Sequence, residues 1–341
     1  MRRRTTRTSR SPAGRYLLRL ILSQWTSDED PPEARKLLEG YDLLPLEERA
    51  GRITRLILLP KGGGIAVVCR LIRFEKSSLL VSHAALEVLR HEPLDLSGWT
   101  RLATTLRKNL SGCPRGPAQW LLTYVGLRDD PRTAVDAWAK LAKEEEQTLH
   151  AHPEQTVRGA AIMLAYLLAG AQARLGDQAA ADRAAAHARE LGGGREPLQI
   201  SERLRTASSL RRRGWVPWAE AEYRRAAEMG PVVYKVAALV YLSEMLHDQG
   251  RDLQAAEARK DAVDAIHRMP APAREQTKET LALSHLDPAE IGARMNYFFA
   301  CHWERQGDRA KQRKHLEEAI RSSPFEVDTL IALGRLPEQS E

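Results

Sequence analysis

The chain has 341 residues, of which 28% are charged and only 6% aromatic, and this composition, with few strand-like alternations, predicts an all-helical protein. The formal net charge is +7, but six arginines lie in the first fifteen residues, so the nearly neutral remainder argues against a nucleic-acid-binding surface. Three widely spaced cysteines, Cys69, Cys113 and Cys301, argue against a disulfide framework or a zinc knuckle.

The first element in chain order is a basic tail, residues 1–15, which is rich in Arg, Thr and Ser and is predicted to be disordered. The apolar segment that follows, 16–25, is too short and too charged to cross a membrane. No signal-peptide cleavage site follows it. We interpret this segment as an internal amphipathic helix, with a membrane-surface anchor as the alternative. The protein is therefore expected to be soluble and cytoplasmic, without a membrane partner.

Residues 16–112 are predicted to form irregular helical hairpins of a HEAT-like kind. Their apolar stretches are broken by Pro60 and by the glycines at 62–64, and they lack small residues at regular spacing. A repeat array is predicted to follow over residues 113–334, with a helical insert at 270–288 and a short tail at 335–341. The final helix of the array is expected to cover its open end.

Small residues at fixed offsets from a turn glycine define the array. Gly214 is placed to end one helix in the left-handed conformation. Ala219 and Ala226 then lie two turns apart on one face of the next helix, where a methyl group allows close backbone approach. The same spacing recurs at Gly250, Ala255 and Ala262, at Gly307 and Ala319, and at Gly176, Ala181 and Ala188. Gln312 replaces the first alanine of the last full unit, so looser or differently tilted packing is expected there.

At these residues the chain resembles the tetratricopeptide repeat family, over roughly residues 115–334. The resemblance implies an all-α, α-α superhelix, a right-handed solenoid of antiparallel helix hairpins. In that family the first helix of each hairpin lines a concave groove that binds peptides or proteins. The Lys and Asn residues that bind a terminal carboxylate in chaperone-binding members have no counterpart here, so a receptor for C-terminal tails is not expected.

The family's groove positions, carried onto this chain, combine Tyr and Arg, the residue types that dominate binding hot spots. The resulting partner-binding set is Tyr166, Arg205, Arg212, Tyr241, Glu244, His247, Arg294, Tyr297 and Arg305. The alternative is that the tyrosines pack between helices and the arginines form a solvated face. The four tryptophans on or beside inward-facing positions are interpreted as core residues: Trp138, Trp215, Trp218 and Trp303.

Motifs for catalysis are lacking, since His247 and Asp248 are adjacent in sequence, as are Cys301 and His302, and adjacent helical residues do not share a face. We therefore predict no catalytic residue, no metal and no cofactor. The favoured function is a non-catalytic scaffold or adaptor that binds a protein or peptide segment in the groove. Two alternatives stay open: nucleic-acid or acidic-surface association through the Arg-rich tail, and a helical-repeat enzyme or small-ligand binder.

Overall fold

The computed structural model describes residues 30–59, 64–91, 96–151, 157–193, 196–283, 286–324 and 327–336. These residues form helices joined by turns and include no β-strand. The predicted basic tail at 1–15, the apolar segment at 16–25 and most of the tail at 335–341 lie outside them. Within the described ranges, no helix combines the length and the apolar character needed to span a membrane. The chain divides into two compact units, residues 1–192 and 193–341.

Unit 1, residues 1–192, begins with helices that pair irregularly. These are α1 (Pro32–Leu38), a 3-10 helix (Tyr41–Leu43), α2 (Leu46–Ile57), α3 (Ile65–Phe74), α4 (Ser78–Arg90) and α5 (Leu96–Leu110). They are followed by α6 (Gly116–Asp129), α7 (Pro131–Ala151), α8 (Arg158–Arg174) and α9 (Gln178–Leu191). Helix α2 packs on α4, and α3 on α5, at least as extensively as each packs on its successor. From α6 to α9, consecutive helices pack mainly on each other.

Unit 2, residues 193–341, is built from hairpins of consecutive helices. Its helices are α10 (Pro197–Arg212), α11 (Val216–Met229), α12 (Val232–Asp248) and α13 (Asp252–His267). They are followed by α14 (Ala271–Leu283), α15 (Pro288–Arg305), α16 (Arg309–Ser322) and α17 (Val327–Gly334). The pairs α10–α11, α12–α13 and α15–α16 pack closely, and α13 also packs directly on α15. The insert helix α14 contacts α12, α13 and α15 beside this stack.

The turns of the α8–α9, α10–α11, α12–α13 and α15–α16 hairpins each contain a glycine in the left-handed region. Gly214 has φ 74° and Gly250 has φ 76°, as the spacing predicts. The same conformation is found at Gly176 and Gly307. The amide of the residue after Gly214 donates to the Leu210 carbonyl at 3.0 Å, which satisfies one of the last carbonyls of α10.

The alanines of the repeat spacing lie where the two helices of each hairpin meet. Every one of them is fully buried: Ala181, Ala188, Ala219, Ala226, Ala255, Ala262 and Ala319. Side chains of this size let helix backbones approach closely, so the pattern restricts side-chain size where the helices meet. The helical content and the stacked hairpins confirm the predicted all-α, α-α superhelix fold class, and unit 2 is a tetratricopeptide-like helical repeat.

The four tryptophans do not share one environment. Trp138 is fully buried, and its Nε1 donates to the Leu164 carbonyl at 2.9 Å, as expected for a core residue. Trp215 and Trp218 are only half-buried and meet edge to face at 5.5 Å. Trp303 is also half-buried, with the Lys311 ammonium 3.9 Å from its ring centre. The interpretation of these last three as core residues is therefore corrected.

Candidate partner-binding cleft

A cleft of about 390 Å³ lies in unit 2, bounded by α12, α13 and the starts of α15 and α17. We call it the α12–α15 cleft. Its apolar wall consists of Val240, Leu286, Ile291 and Val327. Its charged wall consists of Glu244, Arg259 and Arg294, and two further carboxylates, Asp287 and Glu290, also line it. The cleft thus combines an apolar surface with side chains of both signs. Leu286 and Asp287 belong to the end of the predicted insert at 270–288.

Glu244 organises the charged wall by accepting hydrogen bonds from two guanidinium groups. Arg259 Nη2 donates to Glu244 Oε1, and Arg259 Nε donates to Ser243 Oγ at 2.7 Å. Arg294 Nε donates to the same Glu244 oxygen at 3.3 Å, and its Nη1 donates to Asp328 Oδ2 at 2.5 Å. Because the arginines are held by acceptors on α12 and α17, the wall is fixed before any ligand arrives.

Arg259 is the central residue that sequence reasoning missed. It lies on α13, the second helix of its hairpin, whereas the family mapping considered first helices alone. Only 6% of Arg259 is exposed, so its charge is buried beside Glu244. A signal was present in the sequence, because Arg259 follows its turn glycine by nine residues, where the preceding hairpin has Tyr223. A charged residue at a position where the preceding repeat has an aromatic residue indicates that the position makes a polar contact.

Aromatic rings extend the wall along α15. The His247 ring stacks on Phe298 with centres 4.6 Å apart, and Tyr297 meets the same imidazole edge to face at 5.8 Å. The Arg294 guanidinium lies 5.0 Å from the centre of the Phe298 ring and 4.8 Å from that of Tyr297. The structure therefore brings four of the predicted groove residues together between α12 and α15: Glu244, His247, Arg294 and Tyr297.

Three other predicted groove residues, like His247 and Tyr297, are not among those that line the cleft. Tyr241 is 40% exposed, and its ring centre lies 6.2 Å from that of Tyr223. Arg205 pairs with Glu202 of its own helix at 3.3 Å. Arg212 is exposed at the end of α10. Tyr241 follows Val240 of the cleft on α12, but adjacent helical residues do not share a face, and Tyr241 is not part of the cleft lining.

Arg305 supports the turn between α12 and α13. Its Nη1 donates to the Gly250 carbonyl and lies 3.1 Å from Asp252 Oδ2. Asp252 is almost fully buried and also lies 2.6 Å from His247 Nδ1. Arg305 therefore tethers the end of α15 to the preceding hairpin.

Tyr166 is not available to a partner, because its side chain is completely buried in unit 1. Its helix, α8, contacts α4 as well as α7 and α9, and 12 of the 17 residues of α8 are buried. The family mapping assigned Tyr166 to an open groove face, but the added contact with α4 explains why almost no part of α8 is exposed. This prediction is corrected.

A second cavity, of about 270 Å³, is lined by residues of α15, α16 and α17, among them Tyr297, Cys301 and Gln312. Gln312 is buried at this cavity, where the repeat spacing would place an alanine. Burial raises the pKa of the Cys301 thiol to about 11, and burial also raises the pKa of Tyr297. A thiol with this pKa is protonated at neutral pH, so Cys301 is not an activated nucleophile. Among the residues placed by the structure, no three His, Cys, Asp or Glu side chains cluster as metal ligands.

No protein-family model matches the chain, and no curated protein matches it. Among solved structures, the crystal structure of the APC/C hetero-tetramer Cut9-Hcn1 aligns with 97% of this chain at 13% identity and a TM-score of 0.31. The chain spans 64% of the length of the matched chain. A similarity at this level carries no information about the partners or activity of this protein.

Proposed function

We propose that unit 2 is a non-catalytic adaptor that binds a protein or peptide segment in the α12–α15 cleft. The observation that carries the proposal is the side-by-side placement of an apolar wall and a fixed charged wall in one open cleft. Binding sites of this kind use apolar contact for affinity and a few oriented polar groups for register. At about 390 Å³, the cleft has room for a few side chains of a partner segment.

Two details favour a macromolecular segment. Val327, at the edge of the cleft, is 63% exposed, so the apolar wall continues onto the open surface. Tyr241, 40% exposed on a neighbouring face of α12, offers an aromatic ring to a segment that continues beyond the cleft. A segment lying across these side chains would bury more apolar area than the cleft alone provides.

Site-specific photo-crosslinking tests the proposal in the full-length protein. A photoreactive phenylalanine analogue replaces Val327 in one variant and Leu253 in a control. Leu253 is 40% exposed on α13 and does not line the cleft. After irradiation in the native host, mass spectrometry should find protein adducts at position 327 and not at position 253.

A cleft-filling substitution, Val240→Phe, shows whether the adducts depend on the cleft. Its melting temperature is measured first, so that loss of folding is recognised. Adducts at position 327 should disappear in the folded Val240→Phe background. Equal adduct formation at both positions, or adducts that survive filling of the cleft, would contradict the proposal.

A further inference from the structure

The apolar wall of the α12–α15 cleft ends beside two carboxylates, Asp287 and Glu290, that have no cationic partner within the described part of the chain. Asp287 and Glu290 are exposed in the first turn region of α15, next to Ile291 and Leu286 of the apolar wall. Asp287 Oδ1 accepts a hydrogen bond from the Ala289 amide at 2.7 Å and so caps α15. Neither carboxylate forms an ion pair with any residue that the structure describes.

The arginines of the cleft, in contrast, are already occupied. Arg259 is bonded to Glu244 and Ser243, and Arg294 is bonded to Glu244 and Asp328. An incoming anion would have to displace these acceptors and leave carboxylates unpaired. The charge that a ligand meets without breaking an existing bond is therefore the negative charge of Asp287 and Glu290. The positive end of the α15 dipole offsets only about half a unit of it.

We infer that the cleft selects segments in which an apolar side chain stands next to a Lys or Arg. The apolar side chain would contact Val327, the exposed residue of the apolar wall, and the cation would lie against Asp287 and Glu290. This inference rests on the proposed function, because it names the chemistry of the segment that the cleft binds. An acidic segment would meet the two carboxylates as like charges and would be disfavoured.

A random dodecapeptide display library, selected on the immobilised full-length protein, tests the inference. Peptides that also bind the Val240→Phe variant are removed by counter-selection. The remaining peptides should be enriched in an apolar residue with Lys or Arg within about two positions of it. Their binding should weaken as the salt concentration rises, since part of the attraction is between exposed charges.

Charge-neutralising variants then show which carboxylates cause the preference for basic peptides. Glu290→Gln should weaken binding of the selected peptides about fivefold, as expected for an ion pair at an exposed rim. Asp287→Asn, which retains a capping side chain, should act in the same direction. Glu257→Gln is the matched control, because Glu257 is an exposed carboxylate on α13 that does not line the cleft. It should leave binding unchanged.

The outcomes separate the inference from the proposed function. Peptides that bind in the cleft without basic enrichment, or with acidic enrichment, would overturn the inference and leave the proposed function standing. Basic peptides that bind the Glu257→Gln and Glu290→Gln variants with equal loss would also overturn it. If no peptide survives counter-selection against Val240→Phe, both the proposed function and the inference fail.

Discussion

The hairpins α10–α11 and α12–α13 have the same turn and the same buried alanines, but the residues that connect their two helices at one pair of equivalent positions differ in charge. In the first hairpin Tyr223 and Ser208 meet through their hydroxyl groups at 3.0 Å. In the second, Arg259 and Glu244 occupy the equivalent positions, 36 residues later in the chain. One hairpin thus closes this contact with a neutral hydrogen bond, and the other with a charged one.

The difference shows how a repeat acquires a binding surface without changing its backbone. Glycine and alanine fix the turn and the distance between helices, while the pair at the contact is free to vary. In the third hairpin the equivalent positions hold Leu316 and Cys301, which line the second cavity. In α12–α13, Glu244 also pairs with Arg294, which in turn pairs with Asp328. These contacts hold the charged wall of the α12–α15 cleft.

The largest expected effect comes from removing one partner of the charged contact. Glu244→Ser leaves the buried Arg259 without its carboxylate, and breaking a buried ion pair on one side should lower the free energy of unfolding by about 3 kcal/mol. Adding Arg259→Tyr recreates the neutral pair of α10–α11 and should restore most of the loss. Urea unfolding of the two variants measures both values.

The double variant provides the decisive comparison. If Glu244→Ser with Arg259→Tyr is no more stable than Glu244→Ser alone, the two contacts are not equivalent, and the correspondence between the hairpins is wrong. Lys260→Ala serves as the control, since Lys260 is exposed on α13 and its removal should be almost neutral.

A carboxylate in unit 1 provides a second test of how the burial of a charged group changes stability. Glu145 on α7 is largely buried, and burial alone raises its pKa to about 7. Below the ordinary pKa of a glutamate the group is protonated in both the folded and the unfolded states. As the pH rises toward 7, ionisation in the unfolded state lowers the stability of the folded state.

Glu145→Gln should therefore stabilise the protein by about 2–3 kcal/mol at pH 8 and have little effect near pH 4. Unfolding free energies measured across this range check the sign. A stabilisation that stayed constant with pH would show that Glu145 does not titrate with a raised pKa.

The shared part of the two hairpins can be tested by overpacking it. Ala219→Leu in α11 and Ala255→Leu in α13 place a larger side chain at fully buried positions and should each cost about 1–3 kcal/mol. The two losses should be similar, because both alanines hold the same place in the frame. A loss confined to one hairpin in thermal unfolding would mean that their helices do not approach equally closely.

The repeat frame was predictable from one sequence because it depends on residue size and on backbone conformation. Gly214 is recognised because its positive φ favours glycine, and Ala219 because a larger side chain would not fit between the helices. The contact between Arg259 and Glu244 was not predictable, because the pairing of charges 15 residues apart depends on how the helices turn toward each other. The contact of Arg294 with Asp328 spans 34 residues and needs α17 to be in place. Tyr166 was misplaced for a related reason, since nothing local announces that α4 contacts α8.

The smallest predicted effect is a difference between the two turn glycines. Gly214→Ala and Gly250→Ala should each cost about 1 kcal/mol, because a β-carbon disfavours positive φ. At Gly214 a β-carbon would meet open space, whereas at Gly250 it would lie 2.6 Å from Arg305 Nη1. The arginine would have to move and give up its contacts with the Gly250 carbonyl and Asp252. Gly250→Ala should therefore be more destabilising than Gly214→Ala by less than about 1 kcal/mol, since Arg305 is half-exposed.

The difference should depend on Arg305. In an Arg305→Ala background the two glycine substitutions should cost the same free energy in chemical denaturation. A difference that persisted there would have to come from another contact of Gly250.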